Sequence, residues 1–338
     1  MSHCRAPRSA IRVCLFADGV ASDRVLCTSA RYPEWVSSVR PVYQRSDVVV
    51  PSGLPLVAAV TGFMDTGSTV AQVISHFADN VELSTVAEFD MDELFDYRAR
   101  RPIISFDQDH LTEYQPPQLR LSLAADEIGA KFLFLHGVEP DFRWEAFAAA
   151  ISELVEEFAV PSFTWVHAIP MPAPHTRAIQ VTVSGNRADL IERYSVWRPQ
   201  TQVPSNVLHL LEYRLAERMT SVGFVLLVPH YLGDNAYPDA AIKAIECISA
   251  ATGLIFPTDE LREEGREFLH RLNEQTEGNE EFGNLVRSLE ERHDAFMAGS
   301  VLPAADFALA DGEQLAAEWE QFLARRQQTE RPDWEQRL

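Results

Sequence analysis

Histidine, carboxylate and arginine side chains recur in the segments that follow predicted strands, where proton transfer, metal binding or anion binding could take place. Imidazole titrates near neutral pH, and carboxylates suit general acid–base chemistry. Because ligands bind outside the carboxyl ends of parallel strands, we expect these segments to line one ligand-accepting cleft. The alternative is that such residues only end strands and cap helices. The candidate binding residues are Gly62, Phe63, Asp65, Thr66, His136, Glu139, Asp141, His167, His175, Arg177, His230 and Tyr231.

The Asp-Thr-Gly-Ser sequence at residues 65–68 is also found in aspartic proteases, where two aspartates share one proton. Protease chemistry needs a second such segment and an all-β surrounding. Here the sequence occurs once and precedes a predicted helix. We therefore interpret Asp65, Thr66 and Ser68 as acceptors for the free amide groups at the start of that helix. The same amide groups could also hold an anion.

His136 and Glu139 have the spacing of a zinc carboxypeptidase ligand pair, with His175 or His230 available as a third ligand. Two suitable residues three positions apart often occur by chance, so we predict no bound metal. His136, Glu139 and His230 are the residues to test for one. The sequence contains no nucleophile elbow, phosphate-binding loop or dinucleotide-binding motif. No cofactor is expected, and the catalytic signature is incomplete.

Alternating strands and helices must position these residues. Residues 54–60 form a continuous apolar run, as in a strand covered on both faces, and apolar residues at helical spacing follow at 70–77. A further strand at 81–89 completes a βαβ unit. The pattern repeats with strands at 131–135 and 162–166 around a helix at 144–158. A strand at 179–183 and another at 222–228 precede a helix at 238–251. The fold class is therefore α/β, a mostly parallel sheet with flanking helices.

Two further elements are predicted outside this sheet. Residues 103–106 and 119–123 flank a polar stretch with Pro116 and Pro117, which indicates a projecting β-hairpin arm that contacts another copy of the chain. Two amphipathic helices between residues 257 and 298 form a C-terminal helical hairpin that covers the α/β body.

The chain divides into four predicted parts. An irregular lead-in spans residues 1–53, apart from one strand around 11–16, and the α/β core spans residues 54–256, with the arm at about 103–123. The helical hairpin spans residues 257–298 as a lid. An Ala-rich acidic tail spans residues 299–338, partly disordered or with one helix around 315–322.

Composition excludes several classes of function. The 50 acidic side chains against 29 basic ones give a formal charge of −21, which repels nucleic-acid phosphates and anionic lipids. With 46% apolar and 23% charged residues, the chain is globular. Cys4, Cys14, Cys27 and Cys247 show no metal-type pairing, and no apolar stretch is long enough to span a membrane. We expect a cytoplasmic protein with reduced thiols.

Several segments resemble the actinobacterial branch of the proteasome assembly chaperone family, and the resemblance runs from about residue 54 to 298. They are Gly-Phe-Met-Asp-Thr-Gly at 62–67, Pro-Asp-Phe-Arg-Trp at 140–144, Pro-Met-Pro-Ala-Pro-His-Thr-Arg at 170–177, and Pro-His-Tyr-Leu at 229–232 with Tyr237 and Pro238. The resemblance implies a core similar to that of purine nucleoside phosphorylases and some carboxypeptidases. It also implies self-assembly through the hairpin, with a trimer favoured, and a helical cover over the cleft.

Two functions follow as hypotheses. The first is an oligomeric binding or assembly factor whose cleft accepts a small molecule or a peptide. The alternative is a hydrolase or phosphorylase, with zinc as an option, that uses His136, Glu139, His175 and His230. A peptidyl-tRNA hydrolase is disfavoured because an acidic protein would have to bind an anionic substrate. Proteasome-docking members of the wider family end in a hydrophobic residue, a tyrosine and one further residue. This chain ends in Trp-Glu-Gln-Arg-Leu, which argues against direct docking.

Overall fold

The secondary structure alternates strands and helices along most of the described chain. The computed structural model describes residues 41–196, 200, 202–233 and 235–298. The strands are β1 (Tyr43–Arg45), β2 (Leu56–Thr61), β3 (Ser84–Phe89), β4 (Ile103–Asp107), β5 (His110–Gln115), β6 (Leu119–Ala125), β7 (Lys131–Val138), β8 (Ser162–Met171), β9 (Gln180–Gly185) and β10 (Thr220–Pro229). The helices are α1 (Thr69–Asn80), α2 (Met91–Leu94), α3 (Trp144–Glu157), α4 (Ala188–Tyr194), α5 (Val207–Leu215), α6 (Pro238–Thr252), α7 (Asp259–Gly278) and α8 (Glu280–Met297).

Eight of these strands form one mixed sheet in the order β1-β3-β6-β7-β2-β8-β10-β9. The four neighbouring strands β7, β2, β8 and β10 are parallel, so their carboxyl ends lie along one edge. Strands β1, β6 and β9 run antiparallel to their neighbours. The α/β fold with a mostly parallel sheet and flanking helices, predicted from the sequence, is confirmed.

The two predicted βαβ units connect strands that run in the same direction but are not adjacent. Strands β6 and β7 lie between β2 and β3, and β2 lies between β7 and β8. The sequence pattern predicts the direction of each strand correctly. It does not predict which strand inserts between the two, because insertion depends on pairing between distant segments.

A hydrophobic core lies on each face of the sheet because side chains alternate along every strand. In β2, Val57 and Ala59 point to the first face, which α1 and α6 cover. Leu56 and Ala58 point to the second face, which α3 and α5 cover. The continuous apolar run of this strand therefore reflects burial on both sides, as expected.

The projecting β-hairpin differs in extent from the prediction. Strands β4 and β5 pair with each other in a separate two-stranded sheet, and we call this ribbon, residues 103–115, the hairpin arm. Strand β6, predicted as the second half of the arm, instead pairs with β3 and β7 in the large sheet. Its alternating buried residues fit that position, since Leu119 and Leu121 belong to the second core.

The C-terminal helical hairpin is present as α7 and α8, joined at Asn279. The Asn279 side chain accepts hydrogen bonds from the backbone amides of Glu281 and Phe282, which starts α8. On α7, Leu261 and Leu272 are buried in the first core against the body. The apolar face predicted for this segment is therefore the face that packs on the sheet's helices.

Some predictions from the sequence concern residues outside the described ranges, and others differ from the structure. The strand around 11–16, the helix around 315–322, and Cys4, Cys14 and Cys27 lie outside the described residues; Cys247 is buried and free. Strand β1 occurs inside the predicted irregular lead-in, and the short helix α4 was not predicted. Within the described ranges, no helix combines the length and the apolar composition needed to cross a membrane.

Candidate functional site

Four loops at the carboxyl edge of the parallel strands carry most of the candidate residues. Gly62 and Phe63 follow β2, and Glu139 follows β7. The segment 172–179 follows β8, and a single 3-10 turn at His230–Leu232 follows β10. The order of the parallel strands therefore places these loops side by side along one edge of the sheet.

Two candidate histidines lie inside strands rather than in loops, which corrects the prediction from the apolar runs. His136 belongs to β7, stacks on Phe134 with ring centroids 4.7 Å apart, and hydrogen-bonds Ser122 through Nε2 at 3.0 Å. His167 belongs to β8. Phe134 is part of the first core and Trp165 part of the second. By strand alternation, His136 and His167 point to opposite faces of the sheet and do not share a site.

Asp65 connects the loop after β2 to helix α1. Its carboxylate accepts the backbone amides of Val70 at 2.7 Å and Ala71 at 2.9 Å. Burial raises the pKa of Asp65, and the amide hydrogen bonds oppose that rise. The buried Thr66 accepts the Thr69 hydroxyl through its carbonyl oxygen. The predicted acceptor role at the helix start therefore holds for Asp65. It is wrong for Ser68, which precedes α1 without a side-chain capping hydrogen bond, and for Thr66, which contributes only its carbonyl oxygen.

Glu139 ties three elements together. One carboxylate oxygen accepts the amide of Val207 at 2.6 Å, at the first residue of α5, and the other accepts the amide of Phe63 at 3.2 Å. A side chain at Gly62 would lie 2.5 Å from the Glu139 Cβ, so glycine is needed there for close approach. Burial raises the pKa of Glu139, while the two amides oppose the rise. Both carboxylate oxygens are thus used in holding the loop after β2 to α5.

Asp141 and Arg100 extend this arrangement toward the surface. Asp141 pairs with the Arg100 guanidinium at 2.7 Å and accepts the amide of Asp96, also at 2.7 Å. Arg100 also donates to the carbonyl oxygen of Glu139. Asp141 therefore positions the segment after α2 against the loop after β7.

His167 occupies an apolar environment on the second face. It is 5% exposed and stacks with Phe63, with centroids 6.4 Å apart. Its Nε2 atom has no hydrogen-bond partner in the part of the chain that the structure describes. Burial, followed by the nearby His209, lowers the pKa of His167 to about 4. Burial, followed by Arg120, likewise lowers the pKa of His136 to about 4. Both imidazoles are therefore neutral at pH 7.

His175 and Tyr231 join the loop after β8 to α7. The Tyr231 hydroxyl accepts the His175 backbone amide at 2.7 Å and lies 2.8 Å from its Nδ1. The Nε2 atom is 3.3 Å from the Asn273 Oδ1 on α7. A neutral imidazole protonated at Nε2 satisfies all three contacts, and burial lowers the pKa of His175 accordingly. His230 lies beside Tyr231 and approaches the Met171 carbonyl at 3.3 Å.

Arg177 joins the same loop to α8. It forms a two-point ion pair with Asp294, at 2.9 and 2.7 Å, and a third contact with Glu290 at 3.1 Å. The Thr176 hydroxyl donates to the same Glu290. The predicted binding residues His175, Arg177 and Tyr231 therefore attach the helical hairpin to the body.

A cleft of about 430 Å³ lies between the loop after β8, helix α6 and helix α7. The residues that line it are His175, Arg177, Ala178, Ile179, Tyr237, Asp239, Ile242, Lys243, Glu246, Arg262, Arg266 and Leu269. Of these, only His175 and Arg177 were predicted. The signal that could have found others is the i, i+4 spacing of Asp239 and Lys243 and of Arg262 and Arg266, which puts each pair on one helix face.

The predicted metal ligands do not assemble in the described part of the chain. No group of three or more histidine, cysteine, aspartate or glutamate residues is arranged there to hold a metal ion. Glu139, His136 and His230 have separate hydrogen-bond partners. The chemistry that this edge supports best is hydrogen-bonded attachment of loops and helices, with one charged cleft beside it.

Comparison with protein-family models gives a match to the PAC2 family over residues 59–276. A comparison with curated proteins found no significant match. Among solved structures, the Mycobacterium tuberculosis protein of unknown function Rv2714 is 35% identical with a TM-score of 0.73, over 77% of this chain and 93% of its own. A Corynebacterium glutamicum protein of unknown function is 32% identical, also with a TM-score of 0.73, over 76% and 98%.

A more distant structure carries a functional description. It is the Mycobacterium tuberculosis proteasome-assembly chaperone homologue Rv2125, which is 21% identical with a TM-score of 0.62, over 69% of this chain and 100% of its own. At that identity the similarity shows a shared fold.

Proposed function

Because the chain belongs to the PAC2 family, we propose that it acts as an oligomeric, chaperone-like assembly factor that binds partners rather than transforming a substrate. The description of one structural neighbour as a proteasome-assembly chaperone homologue supports the assembly role. A ligand-accepting cleft beneath the helical hairpin and a cytoplasmic location are further parts of this proposal.

The hairpin arm is the single observation that carries the proposal. Phe106 and Leu111 are direct cross-strand partners, so both side chains lie on the same face of the ribbon, and they are 71% and 64% exposed. Ile103, Ile104 and Tyr114 are also exposed on the arm. Such a concentration of exposed apolar side chains on a two-stranded ribbon is typical of a protein contact surface. A second copy of the chain is the proposed partner, with a trimer favoured.

Light scattering coupled to size-exclusion chromatography tests this proposal. The wild-type protein is expected to elute as three protomers of 38.0 kDa each. The double variant Phe106→Ser, Leu111→Ser is expected to elute as a monomer. Ile128→Ser is the matched control, because Ile128 is equally exposed, at 71%, and lies outside the arm. A monomeric wild-type protein, or an arm variant that keeps the wild-type mass, would refute self-association through the arm.

The hydrolase or phosphorylase alternative remains a prediction that a direct measurement can decide. In the described residues, Glu139, His136, His175 and His230 all have hydrogen-bond partners that hold structural elements together. Metal analysis of the purified protein is expected to give much less than one zinc per chain. A stoichiometric zinc that His136→Ala or His230→Ala removes would favour the enzyme instead.

A further inference from the structure

The cleft between the helical hairpin and the body brings several cationic side chains together in an acidic protein. Four cationic side chains, Arg177, Lys243, Arg262 and Arg266, line it against two anionic ones, Asp239 and Glu246. The whole chain carries a formal charge of −21. Arg177 is already held by Asp294 and Glu290, which leaves Lys243, Arg262 and Arg266 as the cations that could attract a small anion to the cleft.

The present partners of three of these cations are exposed and easily exchanged. The carboxylate of Glu246 forms ion pairs with the Lys243 amine, at 3.8 Å, and with the Arg262 guanidinium, at 3.1 Å. Arg266 pairs with Glu263 one turn away on the same exposed helix surface. Exposed ion pairs of this kind contribute little to stability, so the three side chains can turn toward a ligand at small cost.

The interior of the cleft offers both a polar donor and an apolar surface. Tyr237 is 1% exposed, packs against Phe268 and lines the cleft. Its phenol hydroxyl can donate a hydrogen bond to a molecule bound in the cleft. Ile179, Ile242 and Leu269 line the same cleft and can pack against an apolar group.

We propose that this cleft binds a small organic anion that has an apolar body. Its acid group contacts Lys243, Arg262 and Arg266, its apolar body packs on Ile242 and Leu269, and the Tyr237 hydroxyl donates a hydrogen bond to it. The volume of about 430 Å³ is in the range of small-molecule sites. This inference rests on the proposed binding role and specifies the ligand class for it.

Four probes separate the charge from the apolar body. Phenyl phosphate and phenylacetate carry both features, inorganic phosphate carries only the charge, and benzyl alcohol carries only the ring. Isothermal titration calorimetry is expected to give saturable binding for at least one aromatic acid, at lower Kd than for inorganic phosphate or benzyl alcohol. Which acid binds more tightly distinguishes a phosphorylated from a carboxylated ligand. Equal binding of benzyl alcohol, or no saturable binding of either acid, would overturn the proposal.

Variants then locate the site. Lys243→Gln and Arg266→Gln are each expected to raise the Kd by about tenfold, because each removes a charge-assisted contact. Lys131→Gln is the matched control, since Lys131 is the only other lysine and lies at the start of β7. Unchanged affinity in both cleft variants would place the ligand elsewhere.

A labelling experiment tests the same site without substitution. Limited acylation of lysine amines, read by mass spectrometry, compares the two lysines within one molecule. A saturating aromatic acid is expected to lower the acylation of Lys243 and to leave that of Lys131 unchanged. Acylation of Lys243 that does not fall when the acid is added would refute the assignment.

The oligomer and the cleft are tested separately. If the arm variant is monomeric and still binds the acid, both proposals stand. If the wild-type protein is monomeric but binds the acid at Lys243, the assembly proposal fails and the cleft proposal holds.

Discussion

Replacing Glu139 with alanine tests whether this buried carboxylate is a structural connector. Its two oxygens accept the amides of Phe63 and Val207, which lie in the loop after β2 and at the start of α5. Alanine leaves both amide donors without an acceptor in a region where Glu139 itself is 7% exposed. The substitution also removes negative charge from the N-terminus of α5, where it is favourable.

The expected magnitude follows from those two hydrogen bonds. Leaving a buried donor unsatisfied costs about 1–3 kcal/mol. The Val207 amide is buried and the Phe63 amide is only part-buried, so Glu139→Ala is expected to lower the free energy of unfolding by about 2–4 kcal/mol. Glu139→Gln keeps one acceptor oxygen but turns an amide NH₂ group toward the other donor. The loss of unfolding free energy in Glu139→Gln is therefore expected to be smaller than the loss in Glu139→Ala.

Urea unfolding followed by circular dichroism measures the effect as a shift in midpoint at unchanged slope. Glu82→Ala is the matched control, because Glu82 is exposed and is expected to change stability by less than about 0.5 kcal/mol. If Glu139→Ala unfolds at the same urea concentration as Glu82→Ala, the carboxylate is not a structural connector. A wild-type stability together with loss of a measured activity would instead support the enzyme hypothesis.

Two further predictions concern the histidines at this edge. Burial lowers the pKa of His167 to about 4 from its ordinary 6.5, so between these values the unfolded chain binds a proton that the folded chain does not. The contribution of the neutral His167 to the free energy of unfolding is therefore fully present well above pH 6.5, and it falls by on the order of 2 kcal/mol between about pH 7 and about pH 5. His167→Gln should remove the uptake of one proton on unfolding, so its free energy of unfolding should depend less on pH than that of the wild type. The exposed control His110→Gln should keep the wild-type pH dependence, and an unchanged dependence in His167→Gln would contradict the prediction. Tyr231→Phe removes the acceptor for the His175 amide and should cost about 1–3 kcal/mol with faster hydrogen exchange in α7, whereas the exposed control Tyr213→Phe should change neither. Wild-type exchange in Tyr231→Phe would refute this role.

Local patterns in the sequence predict those elements that neighbouring residues alone determine. The unbroken apolar run of β2 predicts burial on both faces, and both cores meet on this strand. Helix α6 begins with Pro238 and ends before Gly253, which adopts φ 77°, so both ends follow from residue type. In each case a few neighbouring residues carry all the information that the element needs.

Prediction from the sequence is wrong where contacts between distant segments determine which strands pair and where a strand ends. Strand β6 pairs with β3 and β7, which local composition does not specify, so the sequence alone wrongly predicts it as part of the arm. The apolar runs end before His136 and His167, so the sequence wrongly predicts both residues in loops. Parallel partners extend both strands, so that Ala59 pairs with His136 and Val225 with His167. The cleft required the packing of α7 on α6, and no pattern within either helix predicts it.

Two of the segments that carry the family resemblance, 170–177 and 229–232, lie at the joint between the body and the helical hairpin. Tyr231 holds His175, which reaches Asn273 on α7, and these contacts set how α7 faces α6 across the cleft. A ligand held by Lys243 on α6 and Arg266 on α7 would stabilise the same joint, and such coupling is reciprocal. Tyr231→Phe should therefore also weaken binding of the aromatic acid, although Tyr231 does not line the cleft. Unchanged affinity with a loosened α7 would show that attachment of the helical hairpin and ligand binding are independent.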